Sequence, residues 1–402
     1  MKALFSMTGH NSPWSQRYRL AARAIAAAAA LAAARPAPAQ EPAAAPSSTA
    51  TPTPAPAPKP WYEEITVNGF VSGKYSYNTN RPTSGTNQFR VFDFDDNTLQ
   101  VDVAEAVLQK AVVKPGEAGF RIDAAAGGSI PRVSAAAGLF RDASGKAHDF
   151  DLQQAFVSYI AAVGGGLRID AGKFVTHHGY EVIEGYDGYN DNATRSFQFG
   201  YAIPFTHTGV KAGYRFSEEL AATVMLAAGW DVVKDNNTGE SLGAQLTFSP
   251  SKTVTVVANY MVGPERDDGD GDLRNVINVN AQAKVRDRAV LTLDVVYGSE
   301  ANAVTHGQTA MWNGIVGYAR FGLSDSFALI LRGELFNDRD GARTGVAQKL
   351  KGITLTPELK ASSHFLIRAD LRIDWSDHDV FEKREGLTGS QPTGLVNVIY
   401  LF

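Results

Sequence analysis

Along residues 365–375 every second side chain is apolar: Phe365, Ile367, Ala369, Leu371, Ile373 and Trp375 share one parity, and Arg368, Asp370, Arg372 and Asp374 fill the other. Successive residues of a strand point to opposite faces, so the segment reads as a strand with one apolar and one charged wall. Residues 327–336 repeat the division, with Leu329, Leu331 and Leu335 set against Arg332 and Glu334. Residues 277–285 place Asn278, Asn280, Gln282 and Lys284 on the polar side, and in 210–216 Lys211 and Arg215 oppose Val210, Ala212, Tyr214 and Phe216.

A soluble sandwich alternates too, so the connections carry the argument. About sixteen strand candidates are joined by short links near 114–117, 163–166, 217–219, 250–252, 286–288, 324–326 and 361–364. Between these fall long links near 78–97, 128–150, 176–205, 231–240, 263–273, 299–306, 337–344 and 377–391. Strict alternation of long and short connections is the bookkeeping of a bacterial outer-membrane barrel with an even strand number. The expected fold is therefore all-β: a transmembrane, antiparallel, up-and-down β-barrel of about 16 strands with both termini periplasmic. A hydrophobic share of 44% would suit a soluble protein, but an alternating barrel averages to the same value.

Residues 1–39 read as a signal peptide. Lys2, Arg17, Arg19 and Arg23 precede the apolar run 24–34, and Ala37-Pro38-Ala39 supplies a small-x-small cleavage site, with cleavage after Ala34 as the alternative. The run is shorter than the roughly 18 residues of a membrane-spanning helix. Residues 40–60, almost only Pro, Ala, Ser and Thr, form a disordered linker, and 61–402 form the barrel. Removing 1–39 takes away five basic and no acidic residues, moving the formal charge from −4 to −9, which gives no support for nucleic-acid binding. With no cysteine there is no disulfide, thiol nucleophile or Cys-ligated metal.

The last strand sets Gly394, Val396, Val398, Tyr400 and terminal Phe402 against Leu395, Asn397, Ile399 and Leu401. Val396, Val398, Tyr400 and Phe402 resemble the signal that a barrel-assembly machinery recognises, and this strand must pair back with the one near 65–77 to close the ring.

In a barrel, function resides in the lumen wall and in whatever narrows it. Parity turns Lys211, Arg215, Lys284, Asp294, Arg332, Glu334, Arg368, Asp370, Arg372 and Asp374 inward. The link 176–205 is the longest and the third external one. In general porins the third external loop folds into the barrel, and by that analogy Glu181, Glu184, Asp187 and Asp191 face the basic wall across a constriction, with Arg195 pairing one of them. The loop aromatics Tyr180, Tyr186, Tyr189, Phe197, Phe199 and Tyr201 call for a packing partner. Trp230, Tyr260, Tyr297, Tyr318 and Trp375 are candidates for interfacial girdles.

Asp268, Asp270 and Asp272 suggest calcium only weakly, because Leu273 stands where an EF-hand needs glycine and no ligating Glu follows. Asp338 and Asp340 before Gly341 are explained by a turn. His177 and His178 would point apart on a strand, so a shared metal site needs a loop. No cofactor is expected.

From Gly172-Lys173-Phe174-Val175-Thr176-His177 through Gly179-Tyr180-Glu181, Tyr189-Asn190-Asp191-Asn192 and Thr194-Arg195-Ser196, the chain resembles the OmpL-like β-barrel porin family of Gram-negative bacteria. The likeness continues in Ala202-Ile203-Pro204-Phe205-Thr206-His207-Thr208-Gly209, Gly263-Pro264-Glu265 and Arg339-Asp340-Gly341-Ala342-Arg343-Thr344-Gly345. It implies a place in the outer membrane, among its lipids, and passive transport of small hydrophilic solutes or ions. A homotrimer fits by analogy with general porins. Two segments depart from the pattern: Lys173 falls on the apolar parity of Leu167, Ile169 and Ala171, and parity changes within 349–360. The alternatives are a barrel-embedded hydrolase, for which no G-x-S-x-G is present, and a plugged structural or adhesive barrel.

Overall fold

Alternating side chains convert most of the chain into one closed antiparallel sheet. The computed structural model describes residues 60–267, 271–304 and 307–402. The expected signal peptide, nearly all of the linker, and Asp268 and Asp270 lie outside the described residues.

The barrel is built from β1 (Ile65–Asn78), β2 (Thr98–Lys110), β3 (Ala118–Ala126), β4 (Phe150–Ala161), β5 (Leu167–Val175), β6 (Thr206–Arg215), β7 (Leu220–Ala227) and β8 (Ser241–Ser251). It continues through β9 (Val254–Pro264), β10 (Leu273–Arg286), β11 (Ala289–Val304), β12 (Gln308–Gly322), β13 (Phe327–Asp338), β14 (Gln348–Lys360) and β15 (Phe365–Ser376). The short strands β16 (Phe381–Glu382) and β17 (Leu387–Thr388) form a separate hairpin in the last long loop, and β18 (Ser390–Leu401) completes the ring. Each barrel strand pairs with its neighbours in sequence, and β18 pairs back with β1 from Phe70↔Leu401 to Asn78↔Thr393. That makes sixteen strands and leaves no open sheet edge, the condition for crossing hydrocarbon with strands.

Burial is inverted relative to a soluble protein. On β15, Leu371 is 60% exposed while Arg368 is 1% exposed. Outward Val396, Val398, Tyr400 and Phe402 are all exposed, and Asn397 and Ile399 between them are buried. Phe402 extends the last ladder: its backbone N–H donates to the Gly69 carbonyl at 3.1 Å, and the Gly69 N–H donates to its own at 2.9 Å. Its ring covers Gly69 so closely that a Cβ there would lie 2.1 Å from the ring.

Several expectations are corrected. The link expected at 299–306 is mostly strand, because β11 continues to Val304 and β12 begins at Gln308. Tyr318 and Trp230 are buried inside rather than placed in girdles, whereas Tyr260 and Tyr297 are exposed on the outer wall. Tyr318 shares the inward parity of Trp312 and Val316 on β12. Lys173 is buried and donates to Asp151 at 2.7 Å. The irregularity has two sources: a bulge on β4, where the partners of Asp123 and Ala124 skip Gln153, and Gly172 at φ +140° on β5. A Cβ at Gly172 would lie 2.2 Å from the Ala155 carbonyl oxygen. On β14 parity never breaks: Gln348, Leu350, Gly352, Thr354, Thr356 and Glu358 all face inward. The inward threonines and outward lysines obscured that order in the sequence.

Candidate channel constriction

The connection between β5 and β6 occupies the lumen. Its backbone N–H groups are taken up by carboxylates of the barrel wall: Tyr180 donates to Asp294 at 3.0 Å, Tyr186 to Glu105 at 2.6 Å, Thr194 to Asp370 at 2.7 Å and Phe197 to Glu334 at 2.6 Å. Gly179 likewise donates to Asn278 at 2.9 Å. An irregular loop inside a barrel must satisfy its donors there, and the inward acids do so. Glu105 on β2 and Asp294 on β11 stand seven strands apart around the ring of sixteen, so the loop reaches across the lumen to nearly opposite walls.

Basic wall residues hold the acids of the loop. Glu181 pairs with Arg332 at 2.9 Å and also accepts from the backbone and hydroxyl of Ser196. Glu184 receives two bonds from Arg368, at 2.8 and 3.1 Å, and pairs with Arg195 at 3.2 Å. Burial raises the Glu184 carboxyl, but the guanidinium groups of Arg195 and Arg368 outweigh it and hold the group below its usual range. Asp187 pairs with Arg121 on β3 at 2.7 Å, and Asp191 with Arg320 on β12 at 2.9 Å.

Behind Glu181 runs a chain of alternating charge. Arg332 lies 3.5 Å from Glu334, Glu334 lies 3.0 Å from Arg372, and Arg372 lies 2.7 Å from Asp374. Asp374 accepts from Arg90 at 2.5 Å, and Arg90 also pairs with Asp93. Arg90 and Asp93 belong to the loop between β1 and β2, so this chain joins two loops to two strands. Each buried charge here has a partner of opposite sign, without which its desolvation would be prohibitive.

Toward the extracellular end the lumen holds an apolar cluster. Phe199 packs against Phe92 and Phe205 at ring distances of 5.7 and 5.5 Å, in a cluster that includes Trp230, Trp312 and Phe336. Thus the loop aromatics meet both the first external loop and the wall. Across the loop, beside β2 to β5, lies a cavity of about 230 Å³ bordered by Glu105, Gln154, His178, Tyr186 and Asp187.

The expected lumen residues divide into two groups. Asp294, Arg332, Glu334, Arg368, Asp370, Arg372 and Asp374 are buried under the loop. Lys211, Arg215 and Lys284 are not: Lys211 approaches Asp170 at 3.7 Å, and Lys284 approaches Asp287 at 3.5 Å. The loop acids were expected to face the basic wall across a constriction; Glu181 and Glu184 instead touch their cations. Sequence reasoning missed Arg121, Asp123 and Arg320, which share the inward parity of β3 and β12 and could have been read from it. It also missed Arg90 and Asp93, which lie in a loop and carry no periodic signal.

His177 and His178 lie in the loop with ring centroids 4.5 Å apart, and His207 lies 6.0 Å from His177. The His207 ring is bonded to the Thr176 hydroxyl and the Gly229 carbonyl, both at 3.1 Å. Asp272, the described member of the acidic trio, is engaged by Asn302 and lies 3.8 Å from Arg266. Among the described residues no three His, Cys, Asp or Glu side chains converge on a metal position.

Solved structures with this architecture are outer-membrane porins and channels. An anion-selective porin from Comamonas acidovorans superposes with a TM-score of 0.55 at 13% identity, covering 84% of this chain and 99% of that one. The outer membrane channel DcaP of Acinetobacter baumannii gives 0.56 at 12% identity, covering 84% and 97%. The trimer form of OmpT, an outer membrane protein of Vibrio cholerae, gives 0.55 at 12% identity, covering 84% and 99%. Such identities establish a shared fold. No curated protein matches the sequence. The family described as beta-barrel porin-2, OmpL-like, matches residues 64–402, essentially the whole barrel, and the chain belongs to that family of bacterial outer-membrane porins.

Proposed function

We propose that the protein is a passive channel for small hydrophilic solutes or ions, exported by residues 1–39 and narrowed by the acidic loop 176–205. The observation that carries this reading is the reach of the loop from Glu105 on β2 to Asp294 on β11. A segment anchored on nearly opposite walls divides the lumen and leaves passage only beside it, along β2 to β9. Glu181, Glu184, Asp191 and Arg195 then act as anchors, while Asp187 borders the remaining path. The reading is of a channel without covalent chemistry, since His207, bonded to a hydroxyl, has a backbone carbonyl rather than a carboxylate on its other nitrogen. A homotrimer is the proposed assembly, in keeping with the trimer form of one structural neighbour.

Single-channel recording in planar bilayers tests both parts. The full chain is expected to give small, discrete conductance steps, and replacing 180–197 by a short Gly-Ser link is expected to enlarge them several-fold. Unchanged steps after loop replacement would reject the constriction. Absence of current from both proteins would reject the channel and favour the plugged barrel.

A further inference from the structure

The outer wall changes chemistry at the extracellular ends of β13 and β14. Along β14, Ile353, Leu355 and Leu359 are exposed to lipid, but the same parity then continues into Lys351 and Lys349. The register sets Lys351 between Leu335 of β13 and Trp375 of β15, and Lys349 beside Asn337. Arg339 continues the outward parity of Asn337 just past β13; its side chain is 65% exposed and touches Met311 on β12.

These cations lack close partners. Neither lysine ammonium makes an ion pair or hydrogen bond among the described residues, and the acid paired with Arg339 is Asp340, at 3.8 Å, beside its contact with Met311. Asp377, the nearest other acid in the register, accepts the backbone N–H of Lys349 and bonds His378. Cations on the lipid-facing parity of a barrel are tolerated at the membrane interface and not at its middle. Trp375 beside Lys351 marks that interface, and the long loops put this end outside.

We propose that Arg339, Lys349 and Lys351 bind the phosphate groups of a phosphorylated glycolipid of the outer leaflet, with Ile353, Leu355 and Trp375 beneath them against its acyl chains. Alternate residues of a strand stand about 7 Å apart, so the two lysines reach separate phosphate oxygens, and the guanidinium of Arg339 offers a fork suited to phosphate. A zwitterionic phospholipid offers no net charge to match three cations. This proposal depends on the outer-membrane location and not on the channel reading.

The test uses the full chain in detergent micelles with bis-phosphorylated lipid A as the probe, its retention measured by native mass spectrometry. A cation beside an anionic surface strengthens binding about fivefold, so R339Q/K349Q/K351Q is expected to weaken retention about a hundredfold while R339K/K349R/K351R keeps it. Unchanged heat-dependent gel mobility shows that each barrel is folded. Wild-type protein compared with dephosphorylated lipid A gives the same reading without any variant: weaker retention is expected. Equal retention of the two lipids, or no loss in the Gln variant, overturns the proposal. Loss accompanied by a change of oligomeric mass also overturns it, because the patch is then a contact between copies of this chain.

Discussion

Arg368 on β15 grips both carboxylate oxygens of Glu184, at 2.8 and 3.1 Å, in a region neither side chain shares with water. Removing one member of a buried pair leaves the other charge unpaired, at a cost of about 3–5 kcal/mol. Arg368→Ala should therefore release the loop while the barrel, held by its ladder, stays folded. The expected result is faster proteolytic cutting within 180–195 with unchanged β circular dichroism. Arg368→Ala/Glu184→Ala should recover much of the loss, because the second change removes the stranded carboxylate. If the single and double variants are cut at the same rate, the pair does not anchor the loop.

Acid should loosen the same loop from its other end. Burial, and then the charges of His207 and Lys211, push His177 from 6.5 down to about 3, against a weaker opposing bond from the Ala244 backbone; burial likewise keeps His178 well below its ordinary value. A group whose docked pKa is depressed favours docking above its free value of 6.5 and withdraws that support as pH falls toward 3. Glu184, also depressed, withdraws its support only below 4.5. Channel noise or loop proteolysis should thus increase between pH 6.5 and 4.5 in the wild type, and His177→Gln/His178→Gln should respond less across that window. An identical acid response in the double variant would remove the histidines from the account.

How much of this was legible in the sequence follows from what generates periodicity. Barrel closure, the inward placement of Arg332, Arg368 and Asp370, and the outward face of Val396 to Phe402 depend on two-residue alternation, which a strand writes directly into sequence. Lys173 violated the pattern because backbone geometry at Gly172, not side-chain order, decides where it points. Tyr318 and Trp230 misled for another reason: an aromatic suits both an interface and the interior, and here loop packing recruits them inward. Arg90 and Asp93 were invisible because a loop residue gains its partner only when the loop folds back, and no local regularity records that.

Closure itself rests on Phe402 above Gly69. The ring fills the space that a side chain at 69 would need, an arrangement by which an aromatic covers a bare glycine in a sheet. Gly69→Leu should displace the ring and slow assembly, and deleting Phe402 should remove aromatic contacts worth about 1 kcal/mol together with two ladder hydrogen bonds. Heat-dependent gel mobility should show less folded barrel at a fixed time for both variants. Phe402→Tyr should fold as the wild type, whereas indifference to all three changes would mean that the ring has no part in closing the sheet.

Ion selectivity should set Asp187 apart from the other three acids of the loop. Glu181 and Glu184 are spent on contacts with Arg332 and Arg368, where no mobile ion approaches them. Asp187 is 57% exposed and borders the cavity beside β2 to β5, whereas Asp191 is held by Arg320 on β12, across the ring. A unit charge about 4 Å from a passing ion in water shifts its energy by about 1 kcal/mol, or about fivefold in a permeability ratio. Asp187→Asn should therefore move the reversal potential in a KCl gradient toward anion preference, by about fivefold in the permeability ratio for a passing ion at that distance. Glu181→Gln/Glu184→Gln should act differently, loosening the loop and raising conductance before it alters selectivity. An equal selectivity shift from Asp187→Asn and from the glutamate pair would mean that ions pass on the Arg332 and Arg368 side, and the path beside β2 to β9 would have to be abandoned.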